Sequence, residues 1–450
     1  VSDQPEYGRA YRAWLLTLIL LVAAFGYVDR VIVQTLGQAI KEDLGLSDFQ
    51  LGALGGLGFA ILYSVLGLPI ARLAERRSRV TIISVSVGLF SAMTVLCGTA
   101  ASFWHLFLYR IGVGIGEAGV QAPSVSLLAD HFPPRQRGAA MTVMKLGAPV
   151  GSVFGAIAGG LIAHEFGWRI AVIAVAGPGL IVALLIKLTL REPPRGLSDP
   201  GPSADGVPPL GAVLRTMGGR PEFRHMLAGL ALATMGLYAG GAFASPFFMR
   251  VHGLSILEAG FYFSILSGVA ATVGFSTAGF GIDFIARRGP QYYALVPAFG
   301  MALAVPFYLV GYSIGDSRIA LGFQVCGGIL LFFHSIPTLV AFQNMVGVRE
   351  RATAAFVFFF ISTLVGVGLG PPLLGFVSDL YASAAFPGDH GAVCSGDAAA
   401  SLPACQSASA QGIRYALMSS MALYAWGAGH YYLAARAIRR SISVQPAAQP

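Results

Sequence analysis

Asp29, Arg30, Arg110, Glu117 and Lys145 lie inside long apolar runs, and all five fall in the first half of a 450-residue chain. A charge held in hydrocarbon costs about 3 kcal/mol or more, so it usually faces a protein-lined cavity and marks a path for ions or substrate. The second half has equally apolar runs with no comparable acid or base in mid-run. One half is built for charge chemistry and the other for apolar contact.

At a helical rise of about 1.5 Å per residue, Asp29 and Arg30 lie roughly 12 Å inside the outer end of the first run, with Arg110 at similar depth. Glu117 is two turns beyond Arg110, on the same face and about 10 Å nearer the cytoplasm. Lys145 lies nearer still. The expected arrangement is a ladder: Lys145, Glu117, then Asp29 with Arg30 and Arg110. Low dielectric favours the neutral form of an acid, and a neighbouring arginine favours the charged form. Asp29 and Glu117 are therefore the candidate proton carriers, while Arg30, Arg110 and Lys145 are the candidate contacts for an anionic group. The competing reading is a static ion-pair network that only holds helices together. In the second half the candidate cavity lining is apolar and aromatic, with Tyr238, Phe243, Phe247, Phe332, Phe333 and the run Phe356 to Phe360. Ser335, Thr338 and His334 supply a few polar contacts there, although a lone histidine in such a run is more often a packing residue than a proton relay. Charge on one side and apolar surface on the other suit an anionic amphiphile.

The elements that must position these groups follow from composition. The chain is 55% hydrophobic and only 11% charged, with mean hydropathy +0.70. A soluble protein carries about 25% charged residues, so this one belongs in a bilayer. Segments of about 20 apolar residues can each span the membrane. They fall near 13–37, 48–70, 80–101, 104–129, 138–162, 168–190, 223–248, 257–280, 291–313, 318–342, 353–378 and 411–434. The fold class is thus all-α, with twelve transmembrane helices in two six-helix halves, 1–190 and 223–450. Between them, 191–222 contains Pro193, Pro194, Pro200, Pro202, Pro208, Pro209 and Pro221 and reads as a solvated linker. The polar start, Val1 to Arg12, leads straight into a long helix, which reads as a retained span rather than a cleaved signal.

The net charge of +8 does not point to nucleic acid, because the basic residues cluster in short loops without interleaved aromatics. Arg72, Arg76, Arg77, Arg79, Arg135, Arg137 and the linker arginines lie on the same side as Arg9 and Arg439. The opposite side has few. This bias predicts cytoplasmic termini and a cytoplasmic linker, in a bacterial inner or plasma membrane. The halves are also related to each other. Gly45-Leu46-Ser47 and Gly52 recur as Gly253-Leu254-Ser255 and Gly260, and Ala71, Glu75 and Arg79 recur as Gly279, Asp283 and Arg287, always 208 residues on (45 to 253, 79 to 287). Six helices per half make this a parallel repeat, whose substrate site is expected near the midplane where the repeats meet.

The loop from Ala71 to Arg79 and its echo from Gly279 to Arg288 resemble the G-x-L-A-D-R-x-G-R-R signature of the major facilitator superfamily. Ala71, Glu75 and Ser78 depart from the usual residues while the spacing is kept. The resemblance implies a conformational latch made by Glu75, Arg76 and Arg79 with Asp130, and by Asp283 and Arg287 in the second copy. Gly147, Gly151, Gly155 and Gly159, with Pro149, resemble the glycine-proline motif of helix five in that superfamily, often associated with antiporters. Spacing of four leaves a smooth groove, read here as close packing between the halves, with a partial counterpart at Gly366, Gly370, Pro371 and Gly375. Gly112-Val113-Gly114-Ile115-Gly116 follows no strand and sits in an apolar helix, so it reads as helix packing rather than a nucleotide loop.

Three pieces carry a tighter resemblance: Gly26-Tyr27-Val28-Asp29-Arg30, Arg110 through Glu117-Ala118 to Asp130, and Ala148-Pro149-Val150-Gly151-Ser152. They are similar to the Spinster family of lipid transporters, with its Y-x-D-R and G-I-G-E-A motifs. That resemblance implies export of sphingosine-1-phosphate or lysophospholipid. It rests mainly on about 15–150, and no motif in the second half carries substrate identity across.

Cys97 and Cys326 lie in apolar runs and read as packing residues. Cys394 and Cys405 flank a polar loop on the non-cytoplasmic side, where a disulfide is permitted but not dictated by spacing. No H-E-x-x-H, close catalytic acid pair or nucleophile elbow is present, so an enzyme is not expected. Neither metal nor cofactor is expected. With no ATP-binding loop, energy must come from an ion or substrate gradient. The expected partners are the lipid bilayer, a small amphiphilic substrate and protons, with a monomer as the working state. The alternatives are a carrier of a small organic anion and a transporter-like sensor.

Overall fold

The computed structural model of the chain describes residues 7–74, 76–132, 134–194, 210–345, 351–388, 390–394 and 402–444. The described residues are helical throughout, with no strand among them. The first group of helices is α1 (Arg9–Leu44), α2 (Asp48–Gly55), α3 (Leu57–Ala74), α4 (Arg79–Cys97), α5 (Phe103–Ala118), α6 (Gln121–His131) and α7 (Pro134–Thr189). A short α8 (Leu210–Gly218) precedes α9 (Pro221–His252), α10 (Ile256–Ala286), α11 (Tyr292–Ser313), α12 (Ser317–Leu331) and α13 (Ser335–Asn344). Then come α14 (Arg351–Ile361), a π-helical turn (Ser362–Val367), α15 (Gly368–Ala385) and α16 (Pro403–Val444). Among the described residues, nine helical stretches are long and apolar enough to cross a membrane. One of them, Ala140–Thr189, has 50 residues, about 75 Å at helical rise and enough for two crossings. It breaks at Gly167, whose φ of 81° and ψ of 164° only glycine adopts readily. The predicted spans five and six meet at this break.

Contacts divide the chain into two compact units, 1–46 with 53–204 and 254–264, and 47–52 with 205–253 and 265–450. In the first unit the groove of α7 receives α1. Gly147 faces the backbone at Leu20 and Ala24, Gly151 the Ala24 carbonyl, Gly155 the Val28 backbone and Gly159 the Ile32 side chain. The groove expected between the halves is therefore used inside one unit. A four-residue spacing cannot name its partner, and here the partner is the first helix. In the second unit Gly366 and Gly370 lie against Thr234 and Met235 of α9, and Gly229 and Gly236 lie against the rings of Tyr431 and Tyr424 on α16. Gly112, Gly114 and Gly116 of α5 sit on Met93, Phe59 and Phe90, so this glycine run packs helices.

The repeated Gly-Leu-Ser motif marks two equivalent turns. Gly45 (φ 62°) and Gly253 (φ 68°) end α1 and α9 in the left-handed conformation. Ser47 with Gln50, and Ser255 with Glu258, then close reciprocal capping boxes. The linker is not wholly solvated: Arg191 donates its N–H to the Tyr11 hydroxyl at 2.8 Å, and α8 adds a helix before α9. Cys394 and Cys405 are joined by a disulfide, with Cα atoms 5.7 Å apart.

Candidate functional site

Two buried ion pairs form the centre of the first unit. Consecutive helical residues point about 100° apart, so Asp29 and Arg30 leave α1 in different directions and find different partners. Asp29 accepts from Arg110 Nη1 at 2.9 Å and from the Thr94 hydroxyl of α4. Arg110 also bonds the carbonyls of Leu54 and Asp29, each at 3.4 Å, and both side chains of the pair are almost wholly buried. Arg30 donates through Nε to Glu117 Oε2 at 2.9 Å, and through Nη2 to the same oxygen. The expected grouping of Asp29 with both arginines is thereby corrected: one base goes to each acid.

The Arg30 guanidinium lies over three rings, Phe59 at 4.6 Å and Tyr27 and Tyr63 at 5.4 Å each. Such stacking holds a cation in place and suits the planar guanidinium better than an ammonium. Sequence reasoning missed Phe59 and Tyr63, which sit in an ordinary apolar run. A cavity of about 90 Å³ opens beside the pair, lined by Arg30, Glu117, Tyr63, Gln121, Ser124 and Lys145, among others. Glu117 Oε1 and Ser124 Oγ are buried there without a hydrogen-bond partner among the described residues. Asp29 instead borders a small space of about 10 Å³ with Ser91 and Thr94, about enough for one water.

The expected second-half lining is placed differently. Phe243 and Phe247 are fully buried, and Thr338 donates to the His334 carbonyl at 2.6 Å while pairing with the Tyr431 hydroxyl at 2.8 Å. His334 is buried with Nδ1 at 2.7 Å from the Leu331 carbonyl. Phe243, Phe247, His334 and Thr338 pack the second unit, whereas Tyr238, Phe332, Phe333, Ser335, Phe356 and Phe360 are half-buried and Phe359 is exposed.

At the other end of α4, Arg79 is buried and bonded to Asp130. It also reaches Ser126 Oγ at 3.0 Å, Glu192 at 2.6 Å and the Pro193 carbonyl at 3.1 Å. Glu192, which sequence reasoning left in the linker, additionally accepts from Ser78 Oγ at 2.9 Å and the Val80 N–H at 3.0 Å. Arg76 and Arg287 are exposed, while Glu75 and the side chain of Asp283 lie outside the described residues. Burial opposes ionisation of Glu192, but the Val80, Arg79 and Ser78 bonds outweigh it and hold its carboxyl below the usual range. A carboxylate lowered in this way stabilises the fold above its unfolded pKa and loses that effect as pH falls through the folded value. Glu192→Gln should therefore lower the thermal midpoint by a few degrees at pH 7, with the gap to wild type closing below about pH 4. A gap constant across that range would show that the charge of Glu192 is not what matters.

Buried acid–base pairs on apolar helices accompany two related halves, and residues 18–371 match the Major Facilitator Superfamily. The chain belongs to that family. Within it, the chain is similar to transporters of the Spinster type. A bacterial homolog of the human lysosomal transporter Spinster, solved in an inward-facing and unoccupied conformation, superposes with a TM-score of 0.87 at 32% identity, over 96% of this chain and 99% of that one. Human protein spinster homolog 1 is 25% identical over 407 residues, 82% of this chain and 73% of that protein. An MFS-type efflux pump of Mycolicibacterium smegmatis is 30% identical over 385 residues, 84% of this chain and 87% of the pump. These relatives are transporters rather than enzymes.

Proposed function

We propose that this transporter is driven by protons, works by alternating access, and moves an anionic amphiphile such as a lysolipid or sphingoid phosphate. The observation that carries the reading is the Arg30–Glu117 pair on the wall of a cavity that Lys145 also lines. An anionic head group entering there competes with Glu117 for Arg30. Glu117, deprived of its counter-charge in a low dielectric, then favours its protonated form. Asp29, paired with Arg110, is the second candidate proton carrier. Loading the head group and loading the proton are thereby linked through one guanidinium. The Spinster-type relatives support a transporter, and the basic loops support cytoplasmic termini.

A small organic anion is the second reading, and the modest cavity volume of about 90 Å³ favours it. The two separate in proteoliposomes with an imposed pH gradient, using a fluorescent lysolipid as probe. Wild type should accumulate the probe with the gradient, and Asp29→Asn should reduce the rate at least tenfold. Correctly inserted wild-type protein that moves no lysolipid but does move a compact organic anion would replace the first reading with the second. Full gradient-driven transport in both Asp29→Asn and Glu117→Gln would remove the proton coupling.

A further inference from the structure

One side of α16 packs against α9, and the other carries a surface that the second unit leaves uncovered. Tyr424 lies on Gly236 of α9 and Tyr431 on Gly229, so the two helices run antiparallel in a fixed register. On the opposite side Ala422, Ala425, Trp426, Gly429 and Tyr432 recur at helical spacing and are all exposed. Nothing lies within 4 Å of a Cβ built on Gly429. At about 100° per residue, the three small residues form a shallow floor, with Trp426 along one edge and Tyr432 along the other. These two side chains are 63% and 52% exposed, so they stand out as walls. Behind Trp426, at 6.0 Å between ring centroids, is His430, whose Nδ1 is 3.1 Å from Nδ1 of His225 on α9.

The same face ends in charge. Arg436 stands about two turns beyond Gly429, Arg440 about one turn further, and both are exposed. The apolar span ends near 434, so these residues leave the helix about 3 Å and 9 Å beyond it, beside a head-group layer about 5–8 Å thick. Helical side chains lean back toward the N-terminus, which here is toward the membrane. Continuing the register places Arg224 of α9 beside Arg436 and Arg220 beside Arg440. Arg224 is exposed, and Arg220 donates to the Met345 carbonyl at 2.8 Å. No acid occurs in α16, and the first turn of α9 has Glu222 alone. Positive charge therefore exceeds negative where these two helix ends meet.

Basic residues by themselves would only mark one side of the membrane. Here they top a floor of small residues walled by aromatic rings, all on one face of one helix. Small residues let an apolar chain lie close to the backbone, and a guanidinium matches a phosphate with two parallel hydrogen bonds. We propose that this face of α16 binds one anionic phospholipid of the adjoining leaflet. Its phosphate rests on Arg436 and Arg440, and an acyl chain lies over Gly429 between Trp426 and Tyr432. The site is independent of what the transporter carries.

The test is lipid retention by the full-length protein in detergent, read by native mass spectrometry with phosphatidylglycerol and phosphatidylcholine at equal concentration. Wild type should hold one phosphatidylglycerol about tenfold more tightly than phosphatidylcholine, or better. Arg436→Gln combined with Arg440→Gln should remove that preference. Gly429→Leu fills the floor and keeps every charge, and it should weaken phosphatidylglycerol to a similar degree. Both variants change exposed positions, so each should keep the monodisperse size-exclusion peak of wild type. Excess inorganic phosphate should leave the lipid in place. Absence of a preference in wild type would overturn the site, as would unchanged retention by the double arginine variant. Normal binding by Gly429→Leu would show attraction to basic residues in general, and displacement by phosphate would make the occupant a free anion; either result also overturns it.

Discussion

Arg110→Met is expected to destabilise the protein by about 3–5 kcal/mol, because it strands the buried Asp29 carboxylate without its counter-charge. Thr94 is the other side chain bonded to that carboxylate, and a hydroxyl offers no compensating charge. Adding Asp29→Asn to Arg110→Met should recover most of the loss, since replacing both members of a buried pair by neutral groups is close to neutral. Thermal unfolding in detergent, followed by loss of the monodisperse peak on size exclusion, reads both variants. A single variant as stable as the double would show that removing Arg110 leaves no costly uncompensated charge at this site.

The second large effect is steric. Gly151→Ala puts a methyl group into the Ala24 carbonyl of α1, where backbone lies on both sides and neither side can yield locally. The helices must separate, which should cost about 2–3 kcal/mol. Gly177→Ala, beyond the break at Gly167 and with nothing within 4 Å of an added Cβ, should be neutral or raise stability by up to about 1 kcal/mol through helix propensity alone. The same unfolding assay compares the two. Equal stability would mean that α1 and α7 do not approach as closely as the glycine groove allows.

Much of this architecture was legible from residue type. Long apolar runs placed the helices, and a constant offset of 208 residues between Gly45 and Gly253 or Gly52 and Gly260 exposed the repeat. The five intramembrane charges were legible because hydrocarbon makes each one conspicuous. Their pairing was not. Periodicity places Asp29 and Arg30 on different faces of α1, but it cannot say which neighbouring helix each face meets. For the same reason the groove of Gly147 to Gly159 announced close packing without revealing that α1 fills it. Glu192 was passed over because acids near helix ends are common, and only the fold brings it to Arg79. The apolar residues of the second half misled in the opposite sense. Phe243, Thr338 and His334 have the types that line a lipid cavity and also the types that fill a core, and here they fill the core.

The one-base-for-each-acid arrangement around α1 has an electrical consequence. Asp29 with Arg110 and Glu117 with Arg30 are each neutral as pairs. Under the proposed coupling, a proton that neutralises either acid leaves a guanidinium uncompensated, and the cargo's own anion can cancel it. One proton travelling with one monoanion then carries no net charge through the site. Moving an elementary charge against the membrane potential involves about 2.3 kcal/mol per 100 mV, and this stoichiometry avoids that term. Under that coupling, the pairs would make the cycle responsive to acidity and indifferent to voltage.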